Sequence, residues 1–301
     1  MTITPSVSAL PQRVLGKTGE QVPILGLGTA PGGFGMDDAS AIELFEMAID
    51  RGVTYLDTAP GYDRAQAQLG QILPRHRDDV FLVTKVHAAD GKEAIDKLEE
   101  NLRVLQTDAV DVCFVHSLGH LDVDKVLSQD GSLAALRQAQ KRGLTRYVGF
   151  TAHHKPAGAE RIFREADVDV AMFALNFADH HTYGFDRSVL TAARAQNTGI
   201  AAMKVYGGAV DMKYETAEDE DGRPSALHAI DGDFDHEQAL RWSLGLEGVS
   251  TAVIGMYSPQ ELELNIEWAR RFQPLSTAED EVLLRRGQSF ADTLGAHFDQ
   301  G

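Results

Sequence analysis

Four side chains of complementary chemistry, Asp57, Tyr62, Lys85 and His116, stand at or just past the ends of three short apolar runs. The runs are residues 53–57 (VTYLD), 80–85 (VFLVTK) and 110–116 (VDVCFVH). A phenol with an ordinary pKa near ~10 is a slow proton donor at neutral pH. An ammonium beside it favours the phenolate, and a carboxylate paired to that ammonium keeps it charged and fixed. Asp57 and Tyr62 are separated by one turn (DTAPGY), Lys85 comes from the next run, and His116 from the one after. The set suits protonation of a carbonyl oxygen while hydride arrives at its carbon, with the imidazole placed to hydrogen-bond the oxygen or the phenol. Taken singly, Asp57 and Lys85 also fit a structural ion pair, and His116 a core histidine. Four such groups in order on successive runs favour chemistry.

Elements must position these groups. Strands buried on both faces are almost wholly apolar, and chemistry on a parallel barrel collects at their C-terminal ends. Strand-like runs occur at 24–29, 53–57, 80–85, 110–116, 145–151, 168–175, 199–204 and 249–254. Between them lie amphipathic stretches that predict helices at 39–50, 92–105, 132–142, 156–165, 186–196, 236–246 and 259–270. The spacing of about thirty residues is that of a βαβ unit. The expected fold is therefore α/β, a closed (β/α)8 TIM barrel spanning residues 1–301 as one domain. Residues 13–23 (RVLGKTGEQVP) read as an N-terminal β-hairpin, with Gly16 and Gly19 bracketing a turn that plugs the barrel floor. Residues 207–235 form a long connection rich in acid (Glu215, Glu218, Asp219, Glu220, Asp221) that reads as a solvated loop.

The chain has 301 residues, 43% of them apolar, and a net charge of −17. That balance argues against a nucleic-acid or anionic-membrane partner, since both demand basic surface. The lone Cys113 sits in a strand-like run and excludes an intrachain disulfide. No basic leader or membrane-length apolar run occurs, so a cytoplasmic location is expected. Two histidine pairs, His153-His154 and His180-His181, lack acidic or cysteine partners at ligand spacing, and no metal site is read from them. They suit hydrogen bonding to a polar substrate or plain rim structure.

The segments GLGTA (26–30), YLDTAPGY (55–62), FLVTKV (81–86), DVCFVH (111–116), RYVGFTAH (146–153), GIAAMKVYGG (199–208) and VIGMYSPQELELN (253–265) resemble the aldo-keto reductase superfamily. The match covers the barrel in order. It implies reversible carbonyl reduction with a nicotinamide cofactor, NAD(P)(H), bound in extended form. By that resemblance Tyr62 is the general acid/base, Lys85 and Asp57 tune it, and His116 orients the substrate. The same resemblance puts cofactor contacts on Gly28, Thr29 and Thr151, on Lys204, Val205 and Gly207, and on Gly255, Met256, Ser258, Glu261 and Asn265. Lys204 would reach the pyrophosphate, with Gly207 and Gly208 beside it. Asp63, His153 and Asn176 are the expected substrate contacts, and their polarity favours a hydroxylated or sugar-like carbonyl.

The chain also departs from the family pattern. Asp63 replaces the usual glycine after the tyrosine. Thr151-Ala152 stands for a Ser-Asn pair, Met172 for a glutamine, and Met203 for the aromatic on which nicotinamide stacks. These changes bear on cofactor affinity more than on acid/base chemistry, and they admit a slow, nucleotide-holding regulatory protein as the alternative to an enzyme. A Schiff-base role for Lys85 is disfavoured, because Asp57 would keep its ammonium charged. Ser258, Pro259 and Glu261 read as N-cap, N1 and N3 of a helix in capping-box arrangement. Family members that prefer the phosphorylated cofactor commonly carry a basic residue near this helix start. Tyr257 and Glu261 stand there instead, which tilts the expectation toward NAD(H). The sequence leaves the substrate and the oligomeric state open.

Overall fold

The structure, a computed structural model, describes residues 9–210 and 225–300. A hairpin of β1 (Gln12–Val14) and β2 (Gln21–Pro23) precedes eight parallel strands. These are β3 (Leu25–Gly28), β4 (Tyr55–Asp57), β5 (Phe81–Val86) and β6 (Val110–Val115), then β7 (Thr145–Ala152), β8 (Val170–Ala174), β9 (Gly199–Met203) and β10 (Val249–Gly255). They close in chain order into a barrel, where β10 returns to β3 through pairs running from Ala252 and Leu25 to Gly255 and Gly28. All eight expected strands are present, trimmed or extended by up to two residues at either end.

Strand period explains where the site lies. Side chains alternate between faces, so Tyr55, Phe81, Val83, Val112, Phe114, Ala201 and Met203 form one buried cluster inside the barrel. Leu56, Leu82, Cys113, Val115 and Val148 pack outward against the helices in another. Continuing the inward set by two residues reaches Asp57 after Tyr55, Lys85 after Val83, and His116 after Phe114. The alternation that fills the barrel thus aims the chemistry into its mouth.

The hairpin seals the opposite end. Leu15 and Val22 are fully buried in the interior cluster with Tyr55 and Phe81. Gly16, at φ +51°, lies so close to the start of β9 that a Cβ would fall 2.3 Å from the Gly199 nitrogen.

The helices at Asp38–Asp50, Gly91–Leu105, Ser132–Lys141, Pro156–Glu165, Ser188–Ala195, His236–Gly245 and Pro259–Arg270 match expectation within two residues at each end. Among the described residues, two further helices of more than ten residues fall outside the expected set. Ala65–His76 carries Gly70 and Pro74, which weaken its helical signal, yet Gly70 is needed where the helix meets the Val104 carbonyl at a would-be Cβ distance of 2.4 Å. Thr277–Leu294 follows the last barrel strand and is opened by a capping box between Ser276 and Glu279. Its Gly287 rests on the Phe177 carbonyl, covering the loop after β8. The connection at 207–235 contains a short helix, Ala226–Ile230. The acidic residues Glu215, Glu218, Asp219, Glu220 and Asp221 lie outside the described residues. Among the described residues no helix is long and apolar enough to cross a membrane.

Candidate active site

The Lys85 ammonium organises the barrel mouth. It donates to Asp57 Oδ1 at 2.6 Å, to the Thr58 carbonyl at 3.0 Å and to the Tyr62 hydroxyl at 3.1 Å. Lys85 is 1% exposed and Asp57 3%, so three oxygens replace the water an ammonium normally holds. Burial pushes the Lys85 ammonium down and the Asp57 carboxyl up, and their mutual attraction opposes both shifts. Asp57 Oδ2 has no hydrogen-bond partner among the described residues.

Local structure fixes each member. The Asp57 carbonyl accepts from both the backbone N–H and the hydroxyl of Thr29. The Lys85 carbonyl accepts from Asn101 Nδ2 at 2.9 Å. Tyr62 is set by a turn in which its N–H donates to the Ala59 carbonyl. The helix Ala30–Gly35 presses on this turn through Gly33, where any Cβ would meet the Tyr62 carbonyl at 1.9 Å. His116 is half-buried, its ring edge-on to that of Tyr62 at 6.2 Å between centroids. Burial, then the charge of Lys85, holds its imidazole well below the usual histidine range. His153, 6.3 Å from His116, is depressed in the same way by burial and by Lys204. Both rings are therefore neutral at pH 7.

A cavity of about 510 Å³ runs from Asp57 and Tyr62 past Met203 to the start of the helix Pro259–Arg270. Its far end is aromatic: His236 lies nearly parallel to Trp268 and edge-on to Tyr206. Gly28 at one wall has nothing within 3.4 Å of a would-be Cβ, while Gly207 and Gly208, at φ +80° and +87°, form a turn that only glycine adopts easily. A long slot with a phenol at one end and flat rings at the other fits an extended dinucleotide. Gly28, Lys204, Val205, Gly255, Glu261 and Asn265 are the residues of this chain in position to hold it.

The expected residues divide between the slot and the structure that supports it. Thr29 is fully buried behind Asp57, and the Thr151 hydroxyl accepts from the Ser117 N–H at 2.9 Å. Met256 is buried, Gly207 lies beneath Gly208 against Leu227, and Ser258 caps its helix by accepting from the Glu261 N–H. The Glu261 carboxylate accepts from the Tyr257 N–H at 2.7 Å, one residue ahead of a reciprocal capping box. Asn265 lines the slot while accepting from the Tyr206 hydroxyl at 2.6 Å. Among the expected substrate contacts, His153 lines the cavity. Asp63 is exposed beside Arg64 at 3.5 Å. Asn176 is 1% exposed, with its amide consumed by Asp179, the Lys204 carbonyl and two backbone N–H groups, so it supports the wall from behind. Sequence reasoning missed His228, His236 and Trp268, which reach the slot from helices far along the chain. No spacing rule links them.

The comparisons agree with this geometry. The Aldo/keto reductase family model matches residues 24–280. Pyridoxal 4-dehydrogenase of Microbacterium luteolum is 25% identical over 89% of this chain and 95% of its own. Methylglyoxal reductase DkgB of Salmonella typhi is 29% identical over 63% of this chain and 69% of its own. In fold, the chain resembles an aldo-keto reductase from Bacillus halodurans in its holo form, with TM-score 0.74 at 21% identity over 92% of this chain and 96% of that one. It also resembles one from Klebsiella pneumoniae solved with NADPH, with TM-score 0.70 at 21% identity over 93% and 96%. With the barrel, the mouth chemistry and a family match across most of its length, the chain belongs to the aldo/keto reductase family.

Proposed function

We propose that this chain is a nicotinamide-dependent oxidoreductase that interconverts a small polar carbonyl and its alcohol, with Tyr62 as the proton donor. The observation that carries the reading is the single buried ammonium of Lys85 held between Asp57 Oδ1 and the Tyr62 hydroxyl. A bound nicotinamide supplies or accepts the hydride. The residues of the chain handle the proton. Tyr62 delivers it to the carbonyl oxygen, and Lys85 steadies the phenolate left behind. Asp57 keeps that ammonium in place. His116, neutral and half-buried, donates a hydrogen bond to the same oxygen and fixes its approach. Tyr62→Phe keeps the ring and removes the donor, so kcat for carbonyl reduction should fall by about 10²–10⁴ with cofactor affinity little changed. A variant that turns over at the wild-type rate would remove Tyr62 from this role.

NAD(H) is used at least as well as NADP(H). Glu261, half-buried at the far end of the slot, would face the ribose 2′-phosphate, and Lys204 is the lone Lys or Arg among the described lining residues. Relatives named for pyridoxal, methylglyoxal and a D-threo-aldose support a small, oxygen-rich substrate. So do the neutral imidazoles at the mouth.

A further inference from the structure

Thr84 places a buried hydroxyl where the fold asks for an apolar side chain. It points outward from β5 between Leu82 and Val86, both members of the apolar layer that packs the barrel against its helices. Two amides reach it there. Gln66 Nε2 donates to Thr84 Oγ1 at 2.8 Å and Asn101 Nδ2 donates to it at 3.3 Å, and all three residues are buried. Burying such groups costs stability unless they are paired, and aliphatic side chains would fill the same space without that demand. The cluster therefore specifies a geometry.

Each amide belongs to one half of the pair that handles the proton. Asn101, on the helix Gly91–Leu105, also donates to the Lys85 carbonyl at 2.9 Å. That carbonyl needs a donor from outside the sheet. The Thr58 N–H takes the rung at Val83 on this edge of β5, and the next rung falls on Pro60, which has no N–H. Gln66 is the second residue of the helix Ala65–His76, whose first N–H, that of Ala65, donates to the Tyr62 carbonyl at 3.0 Å. Thr84 Oγ1 thus ties the strand that carries Lys85 to the helix that holds the Tyr62 turn. In the mouth the same two residues meet at 3.1 Å, ammonium to hydroxyl.

We propose that Thr84, Gln66 and Asn101 are positioning residues that set the Lys85 ammonium against the Tyr62 hydroxyl from outside the barrel. None of the three lines the cavity, so they act only through the backbone of Lys85 and Tyr62. The effect on rate rests on the reading of Tyr62 as proton donor given above, whereas the effect on the phenol does not. With the cluster broken, the ammonium drifts from the hydroxyl, the phenolate loses stabilising charge, and the phenol ionises at higher pH.

The test compares wild type with Thr84→Val, which keeps the shape and removes the hydroxyl, and with Thr84→Ser, which keeps the hydroxyl. In Thr84→Val, kcat for carbonyl reduction should fall by about 10- to 100-fold, the cost of a small misplacement at the reacting groups. The pH at which alcohol oxidation sets in should rise, and the NADH dissociation constant, read by fluorescence, should stay unchanged. Thr84→Ser should restore both rate and onset. Asn101→Leu, which cuts only the Lys85 arm, should reproduce the Thr84→Val profile. A readout without turnover is the NMR titration of carbon-labelled tyrosine, with the Tyr62 signal assigned by its loss in Tyr62→Phe; this signal should titrate at higher pH in Thr84→Val and Asn101→Leu than in wild type. Folded variants with an unshifted Tyr62 titration overturn the proposal, whatever their rate. If neither Thr84→Val nor Asn101→Leu folds, the cluster serves stability alone and the proposal also falls. Absence of hydride transfer with every carbonyl would strike the proposed function and leave the Tyr62 titration to decide this one.

Discussion

The Lys85 ammonium lies 3.1 Å from the Tyr62 hydroxyl and 2.6 Å from Asp57 Oδ1, so one cation ties the carboxylate to the phenol. Lys85→Met removes the charge and keeps an unbranched chain. The oxidation of alcohol needs phenolate, which the ammonium favours. Reduction should slow by about 10²–10⁴, and the pH at which alcohol oxidation sets in should move upward. The check is kcat/KM against pH in the oxidation direction; an unshifted profile would show that Lys85 does not tune the phenol.

His116 should act without titrating. Burial and the charge of Lys85 hold its imidazole well below the usual range. The neutral ring is thus the working form from about pH 6 to pH 8. Carbonyl reduction should show no inflection near pH 6.5 from this group, while His116→Phe should lower kcat/KM by about 10- to 100-fold through loss of one hydrogen bond to developing charge. A wild-type profile with a histidine-like inflection that vanishes in His116→Phe would contradict this.

Glu261 should set the choice of cofactor. A carboxylate roughly 5 Å from a phosphate costs about 1–3 kcal/mol at intermediate dielectric, or several-fold to a hundredfold in affinity. Glu261→Arg should shift the kcat/KM ratio toward NADPH by that order. Burial raises the Glu261 carboxyl, so it is more fully ionised as pH climbs, and the wild-type preference for NADH should grow in the same direction. A wild type that strongly favours NADPH at fixed ionic strength would mean that other residues read the phosphate.

Asp179 should make stability fall with pH. Its carboxyl is 2% exposed, with Oδ1 unpartnered among the described residues, and burial raises it from 3.8 to about 7. Between those values the folded chain holds a proton that the unfolded chain has released. The stabilisation is therefore complete below about pH 4 and lost as pH rises through 7. Asp179→Asn keeps an acceptor for Asn176 and cannot ionise. Its unfolding free energy should exceed that of wild type at pH 8 by more than it does at pH 5, the difference amounting to about 1–4 kcal/mol. Parallel melting curves at the two pH values would show that Asp179 stays charged.

The sequence alone carried the barrel and its catalytic end. Eight apolar runs at βαβ spacing have one closed arrangement, and period-two alternation then aims Asp57, Lys85 and His116 inward whatever the loops do. The hairpin at the floor was legible for the same local reason, since Gly16 and Gly19 mark its turn. Loops were not legible, because their side-chain directions depend on single dihedral angles and on contacts between distant segments. Asn176 turned out to be a clamp instead of a substrate contact because Asp179 and the Lys204 carbonyl take up its amide. Thr151 is spent on the Ser117 N–H, a pairing across two strand ends. His236 and Trp268 meet only because two helices, some thirty residues apart, pack side by side. Lys204 shows the division most clearly. Its identity and its place just past β9 are sequence facts, but the left-handed turn that sends its ammonium toward Phe298 exists only once Asn176 and Gly207 grip its carbonyl in the folded chain.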